Sequence, residues 1–555
     1  MASSVPASEQ FRIILEEVEE YEESLDEAFP DTGIEWEAEK VERWRGFAAR
    51  LDAVDRGDLG DDARADYDVL DRELTHRITR YEHEIHLMPV NHEGGPHSKF
   101  VRHPTRQSFE NGEDYERYLH RLENADEYFD AARELLEAGV ERGFTPPRSV
   151  LDGHGEMIDS YLVEDPTESA LYEPFESIPE RIDPAERERL REAGADAILD
   201  AVVPALREFR EYLLEEYLPA ARETTGYADL DGGEAYYEHL VRYYTTLDVT
   251  PQEVHEIGLD EVDRIREEML SVIDDAGFDG DFGEFVEFLR TDPQFYPDSA
   301  EQLLSEAKSI AKEIDGRLPS LFTLDAMPTR PYAVEPVPED IAPDYTSGRY
   351  VSNGTDTDPG TFWVNTYDLD SRPLYGLPAL FLHEAVPGHH HQIAHAQEQE
   401  GISEFRRENF VNAYIEGWAL YAERLGLELD AFETPYEQFG RLSNEMWRAC
   451  RLVVDTGLHT MGWTPEEARS FMAEHTAMSM HNVRTEVDRY VAWPGQSLAY
   501  KMGEIRIREL RAEAEDRLGP AFDVRAFHEQ LLADGPVVLP YLEESVREWI
   551  ADETA

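Results

Sequence analysis

Pro328, Pro331, Pro336, Pro338 and Pro343 crowd into one short stretch and forbid a long helix through residues 323–373. Apolar residues recur at helical spacing on both sides of it. Phe11, Ile14, Leu15 and Val18 do so near the start, and Val254, Ile257, Val262, Ile265, Met269 and Val272 do so further on. The expected fold is mainly α, with a small β-sheet made by short strands over 330–338, 348–351 and 360–369. Three regions follow: helical 1–322, stranded 323–375 and helical 376–555. No repeat, low-complexity tract or Gly/Ser linker interrupts them.

Several helix starts are written into the chain. Asp183-Pro184, Thr250-Pro251 and Thr464-Pro465-Glu466-Glu467 place a capping side chain before a proline in the first turn. Long helices are expected over 253–276 and 435–459, and a last one from about 538. His92, His97 and His103 fall in a Gly/Pro-rich stretch without His–carboxylate spacing, so a loop near a substrate channel is expected there. His255-Glu256 has Leu259 at i+4, which reads as helical packing or a substrate contact. Cys450, the single cysteine, sits in an apolar stretch and reads as core.

Asp and Glu number 121 against 51 Lys and Arg, a formal net charge of −70, and only five residues are lysine. Such a surface repels itself unless screened, and screening shortens to about 3 Å at 1 M salt. A halophilic source is therefore expected. The hydrophobic content of 41% speaks for a folded chain over a disordered one. A basic stripe is missing, which argues against nucleic-acid binding. No apolar run reaches the roughly 18 residues of a membrane span, and the first residues lack a signal-peptide pattern, so cytoplasmic residence is expected.

Chemistry concentrates at residues 381–392, Phe-Leu-His-Glu-Ala-Val-Pro-Gly-His-His-His-Gln. Imidazoles can hold a zinc-like ion, and Glu384 beside His383 can take a proton from water. The familiar H-E-x-x-H spacing puts its second ligand at i+4, which here is Pro387. His389 at i+6 would lie on the wrong side of an ideal helix. His390 at i+7 would lie about 10.5 Å along it. Pro387-Gly388 distorts the turn. Counted as a two-residue insertion, it brings His389 to the i+4 place; His390 is the alternative. One metal helix is expected over 377–392.

A His2Glu site takes its third ligand from a separate helix. Residues 412–423, Asn-Ala-Tyr-Ile-Glu-Gly-Trp-Ala-Leu-Tyr-Ala-Glu, set Glu416 into an apolar helical pattern after His389, with room for a loop between. Leu420 at i+4 cannot orient a ligand, leaving Asn412, Tyr421 and Glu423 as weaker partners.

The H-E-A-x-P-G-H-H run, the E-G-W-A-x-Y run and the R-x-V-V-D-x-G-x-H run at 451–459 resemble domain-of-unknown-function family 885. Residues 250–258, 145–148 and 494–496 extend the likeness along most of the chain. That family is grouped with the gluzincins, zinc peptidases whose third ligand is Glu. The resemblance implies a helical gluzincin-like fold with two lobes, a deep cleft and a small sheet beside the metal helix. It also implies that the strand Gly-Thr-Phe-Trp-Val-Asn-Thr, before His383, is an edge that pairs with an extended peptide.

These readings converge on one Zn2+ per chain, held by His383, His389 and Glu416, with Glu384 as general base and then acid. Tyr490, Tyr500, His459 and Arg489 are candidates for stabilising the oxyanion, with Tyr490 and His459 preferred and Asp455 able to orient His459. The expected activity is hydrolysis of short peptides, as an exo- or oligopeptidase. Alternatives are a metal-dependent hydrolase of a non-peptide ester or amide, and a metal-binding protein without turnover.

Overall fold

The computed structural model describes residues 6–27, 32–92, 94–102, 109–352 and 359–554. Helices dominate, and one three-stranded sheet is present among the described residues. The chain forms two compact units, and they do not follow the three expected regions. One comprises Met1–Asp55 with Glu73–Tyr236, the other Arg56–Arg72 with Tyr237–Ala555. The boundary falls well before 323 because periodicity identifies a helix but not the helix it packs against.

The first unit is helical. Phe100, Tyr118, Leu122, Phe129, Ile198 and Phe209 belong to its core. Two helices follow Phe109, Gly112–Glu123 and Ala125–Arg142. His97 is not on an open loop. It is buried in the helix Pro96–Arg102, with its Nε2 3.1 Å from Nδ1 of the buried His154. His103 lies outside the described residues.

In the second unit, α1 (Pro251–Asp275) starts from a capping box between Thr250 and Glu253. It is followed by α2 (Ala300–Arg317), β1 (Tyr332–Pro336), β2 (Gly348–Val351) and β3 (Gly360–Val364). The expected metal helix is two helices, α3 (Leu377–Glu384) and α4 (His389–Glu398). Then come α5 (Asn412–Leu425), α6 (Pro435–Thr460), α7 (Met480–Ala492) and α8 (Ala499–Leu518). No helix among the described residues is long and apolar enough to cross a membrane.

The sheet order is β1-β3-β2, with β1 parallel and β2 antiparallel to β3. The strand expected at an edge, β3, is therefore central. Both its sides are paired, so it has no free backbone to offer a peptide. The edge beside the metal helices is β2.

Close backbone approaches fix the helices around the site. Gly258 of α1 faces α6, where a Cβ would come within 2.7 Å of Leu452 Cβ. Gly417 of α5 faces α8, where a Cβ would meet Gly503 backbone at 2.6 Å. Between α1, α6 and α8 lies a buried charge network. Lys501 is fully buried, and its Nζ lies 2.8 Å from Glu261, 2.9 Å from Glu445 and 2.9 Å from Glu504. These carboxylates could gather round a cation, and the ammonium is that cation. Cys450 is also buried, in agreement with core packing, and burial pushes its thiol up.

Candidate metal centre

The break between α3 and α4 is what builds the site. Gly388 admits no side chain, because a Cβ there would collide with the carbonyls of Leu382 and His383. Trp418 of α5 donates its indole N–H to the Pro387 carbonyl at 2.8 Å, tying the turn to the helix that carries Glu416. The turn acts as an insertion and brings His389 round to His383. Their ring centres are 4.8 Å apart and nearly perpendicular, at 88°.

His383, His389 and Glu416 each offer one ligand atom, all within 4.8 Å of one another. Glu416 Oε2 lies 3.6 Å from His383 Nε2 and 3.4 Å from His389 Nε2. Ligands bound at 2.0–2.1 Å in a tetrahedron stand about 3.3–3.4 Å apart, so the spacing suits zinc. Glu416 Oε2 is buried without a hydrogen-bond partner, which a bound cation would correct. Burial alone would raise the Glu416 pKa, but His389 and His383 outweigh it and hold the carboxyl far below its usual range. His383 is likewise opposed by burial, yet Glu416 and Glu423 raise it to about 9.

The orienting carboxylate is Glu423, at i+7 from Glu416 and two turns along α5. Its Oε1 accepts from His383 Nδ1 at 2.9 Å, leaving Nε2 for the ion. Arg448 approaches the same oxygen at 3.7 Å. Tyr421 faces away, toward His528 at 2.9 Å and Arg511 at 3.0 Å. Replacing Glu423 by glutamine is expected to weaken zinc affinity by about 10–100-fold. A chelator competition titration would detect the change, and unaltered affinity would remove Glu423 from this role.

Glu384 is half-buried. Its Oε2 accepts from the Tyr350 backbone N–H at 2.8 Å. Tyr350 lies opposite Phe362 in the antiparallel pair, so this N–H points out from the β2 edge. The alternative ligand His390 is turned toward the sheet. Its Nε2 lies 3.1 Å from the Arg330 carbonyl and its Nδ1 3.3 Å from the Tyr350 hydroxyl. Burial lowers its pKa to about 4. His391 points to the Ala326 carbonyl at 2.6 Å.

The preferred oxyanion donors have hydrogen-bond partners of their own. Tyr490 lies within α7. Its buried hydroxyl accepts from Trp447 and Arg451, each at 3.0 Å, and donates to Glu486 at 2.7 Å. His459 Nε2 pairs with the Tyr490 carbonyl at 2.9 Å. Asp455 does not serve His459 through its hydrogen bonds. Its carboxylate accepts from Tyr237 at 2.6 Å, Gly495 N–H at 2.9 Å and Ser497 at 2.7 Å, fixing the loop after α7. His255 packs as expected, its Nδ1 2.9 Å from Thr456.

Tyr500 is the aromatic close to the ligands. It lies one turn before Gly503, whose partner Gly417 follows Glu416 directly. Burial raises its hydroxyl pKa and the Glu416 charge raises it further, so it stays a proton donor. The guanidinium of Arg451 stacks 4.4 Å from its ring centre.

This arrangement defines a mainly helical protein with a His2Glu group beside a three-stranded sheet. The chain belongs to the family described as bacterial protein of unknown function (DUF885), which matches residues 18–546. It is similar to the crystal structure of a protein from Colwellia psychrerythraea described as a "putative lipoprotein". The TM-score is 0.83 and the identity 28%, over 95% of this chain and 93% of that one. A "putative lipoprotein of unknown function" from Shewanella oneidensis shares the fold, with a TM-score of 0.76 and 18% identity over 98% of this chain and 99% of that one. No curated protein matches the chain.

Proposed function

We propose that the chain is a zinc-dependent peptidase of the gluzincin type that hydrolyses short peptides. The observation that carries this reading is the convergence of His383, His389 and Glu416, with Glu384 next to His383. A zinc ion held by these three would supply a Lewis acid and a water of lowered pKa. Glu384 takes the proton from the attacking water and returns it to the leaving amine. The Tyr350 N–H fixes one carboxylate oxygen of Glu384 while the reaction proceeds. Tyr500 donates a hydrogen bond to the oxygen that gains charge on the substrate carbonyl. Main-chain groups of β2 other than the Tyr350 N–H can pair with an extended peptide, which favours peptides over other amides and esters.

The acidic composition suits work in multimolar salt, and cytoplasmic residence is part of the same proposal. The word lipoprotein in the descriptions of the two similar structures favours the other location, at a membrane surface. The first test is metal content after purification in multimolar salt. About one zinc per chain is expected in the wild type, and none in His383→Ala and Glu416→Ala. A wild type that takes up no zinc even on reconstitution would end the proposal.

A further inference from the structure

Next to Tyr500, two guanidiniums share one carboxylate. Arg451 of α6 and Arg489 of α7 both donate to Glu486 Oε2, at 3.2 and 3.1 Å, and the Tyr490 hydroxyl donates to the same oxygen. Glu486 is firmly ionised: burial opposes its charge, but Arg489 and Arg451 hold its pKa at about 2. The three groups together therefore carry one excess positive charge inside a chain of net charge −70. Arg451 Nη1 and Arg489 Nε are buried without hydrogen-bond partners. The Arg451 side chain is 3% exposed, sandwiched 4.3 Å from the Trp447 ring and 4.4 Å from the Tyr500 ring. Arg489 keeps 22% exposure, so it is the arginine that a ligand can reach.

An unbalanced guanidinium at this depth is costly unless an anion completes it. The setting is also built. Gln496 accepts from Arg489 Nη1 at 2.9 Å. Its loop is pinned by Asp455 through Gly495 and Ser497. Arg489 shares Glu486 with Arg451, whose guanidinium stacks on the Tyr500 ring, and so stands close to the tyrosine beside Glu416. An anion on Arg489 would belong to a molecule that also reaches the metal group. Arginine presents a planar fork that matches a carboxylate.

We propose that Arg489, backed by Arg451 and aligned by Gln496, receives the free C-terminal carboxylate of a short peptide. Arg489 is then a specificity-determining residue, and cleavage takes place near the C-terminal end. This rests on the peptidase reading for the identity of the ligand, but its test does not need turnover.

The test is calorimetric titration of the zinc-loaded Glu384→Gln chain with three peptides: trialanine, its C-terminal carboxamide, and Ala-Ala-Glu carboxamide. Trialanine is expected to bind at least about tenfold more tightly than its carboxamide. In the Glu384→Gln/Arg489→Met chain the two should bind alike, and Arg489→Lys in the same background should restore part of the difference. Equal binding of acid and amide to the parent chain would overturn the proposal. So would Ala-Ala-Glu carboxamide binding as tightly as trialanine, which would assign the subsite to a side-chain carboxylate. A preference for the acid together with no hydrolysis of any peptide by the wild type would uphold the subsite and refute the peptidase reading.

Discussion

The Glu384→Gln protein is expected to keep its zinc and to lose hydrolysis by about 10²–10⁴-fold. Glu384 is not one of the three converging ligands, so the metal should stay. Glutamine is isosteric, and its amide oxygen can still accept from the Tyr350 N–H, so β2 should hold its place. What is lost is the ability to take a proton. The check is zinc content and turnover of a short peptide, measured on the same preparation in the same salt as the wild type. Turnover within a few-fold of wild type would remove Glu384 from proton transfer. Loss of zinc with activity would instead make it part of the metal-holding group.

The second large effect is expected far from any substrate. Lys501→Met should destabilise the protein by about 3–5 kcal/mol. The ammonium is fully buried and is shared by carboxylates from three helices, Glu261 of α1, Glu445 of α6 and Glu504 of α8. Methionine fills similar volume but leaves three converging negative charges without their central cation. Arg264, Arg441 and Arg508 reach them from the periphery and keep the loss from being larger. Urea denaturation at fixed molar salt would measure it. A loss under about 1 kcal/mol would mean that water reaches the cluster and that the pairing contributes little. Because α6 and α8 also carry Arg451 and Tyr500, the same substitution tests how far this network supports the site.

The sequence was most readable where local chemistry decides structure. Prolines limited 323–373 to short strands, and Pro387-Gly388 announced a break that lets His389 join His383. Glu416 stood out because a carboxylate in an apolar helical pattern needs a reason to be there. Pairing across long separations was hidden. Residues 360–364 look like any short strand, and only the positions of β1 and β2 on either side make β3 central. Glu423 is hard to single out because i+4 is the natural place for an orienting carboxylate, whereas two helical turns bring i+7 to much the same face. Pro494-Gly495 follows Tyr490 closely, yet the helix continues to Ala492 and buries the ring. The network around Lys501 could not be read at all, since its partners are up to 240 residues away in sequence.

The bond between Glu384 and the Tyr350 N–H makes one oxygen answer to two tasks. A carboxylate accepts that hydrogen bond more strongly than a neutral acid does. A shift of β2 therefore moves that oxygen, and a shift of Glu384 moves β2. The relation runs in both directions with equal free energy. On the proposed peptidase reading, a peptide that shifts Tyr350 along the β2 edge would also shift the carboxylate that takes the proton. Under that reading, seating of the strand and placement of the base would be coupled through this one bond, so a poorly seated peptide would meet a carboxylate that is itself out of position.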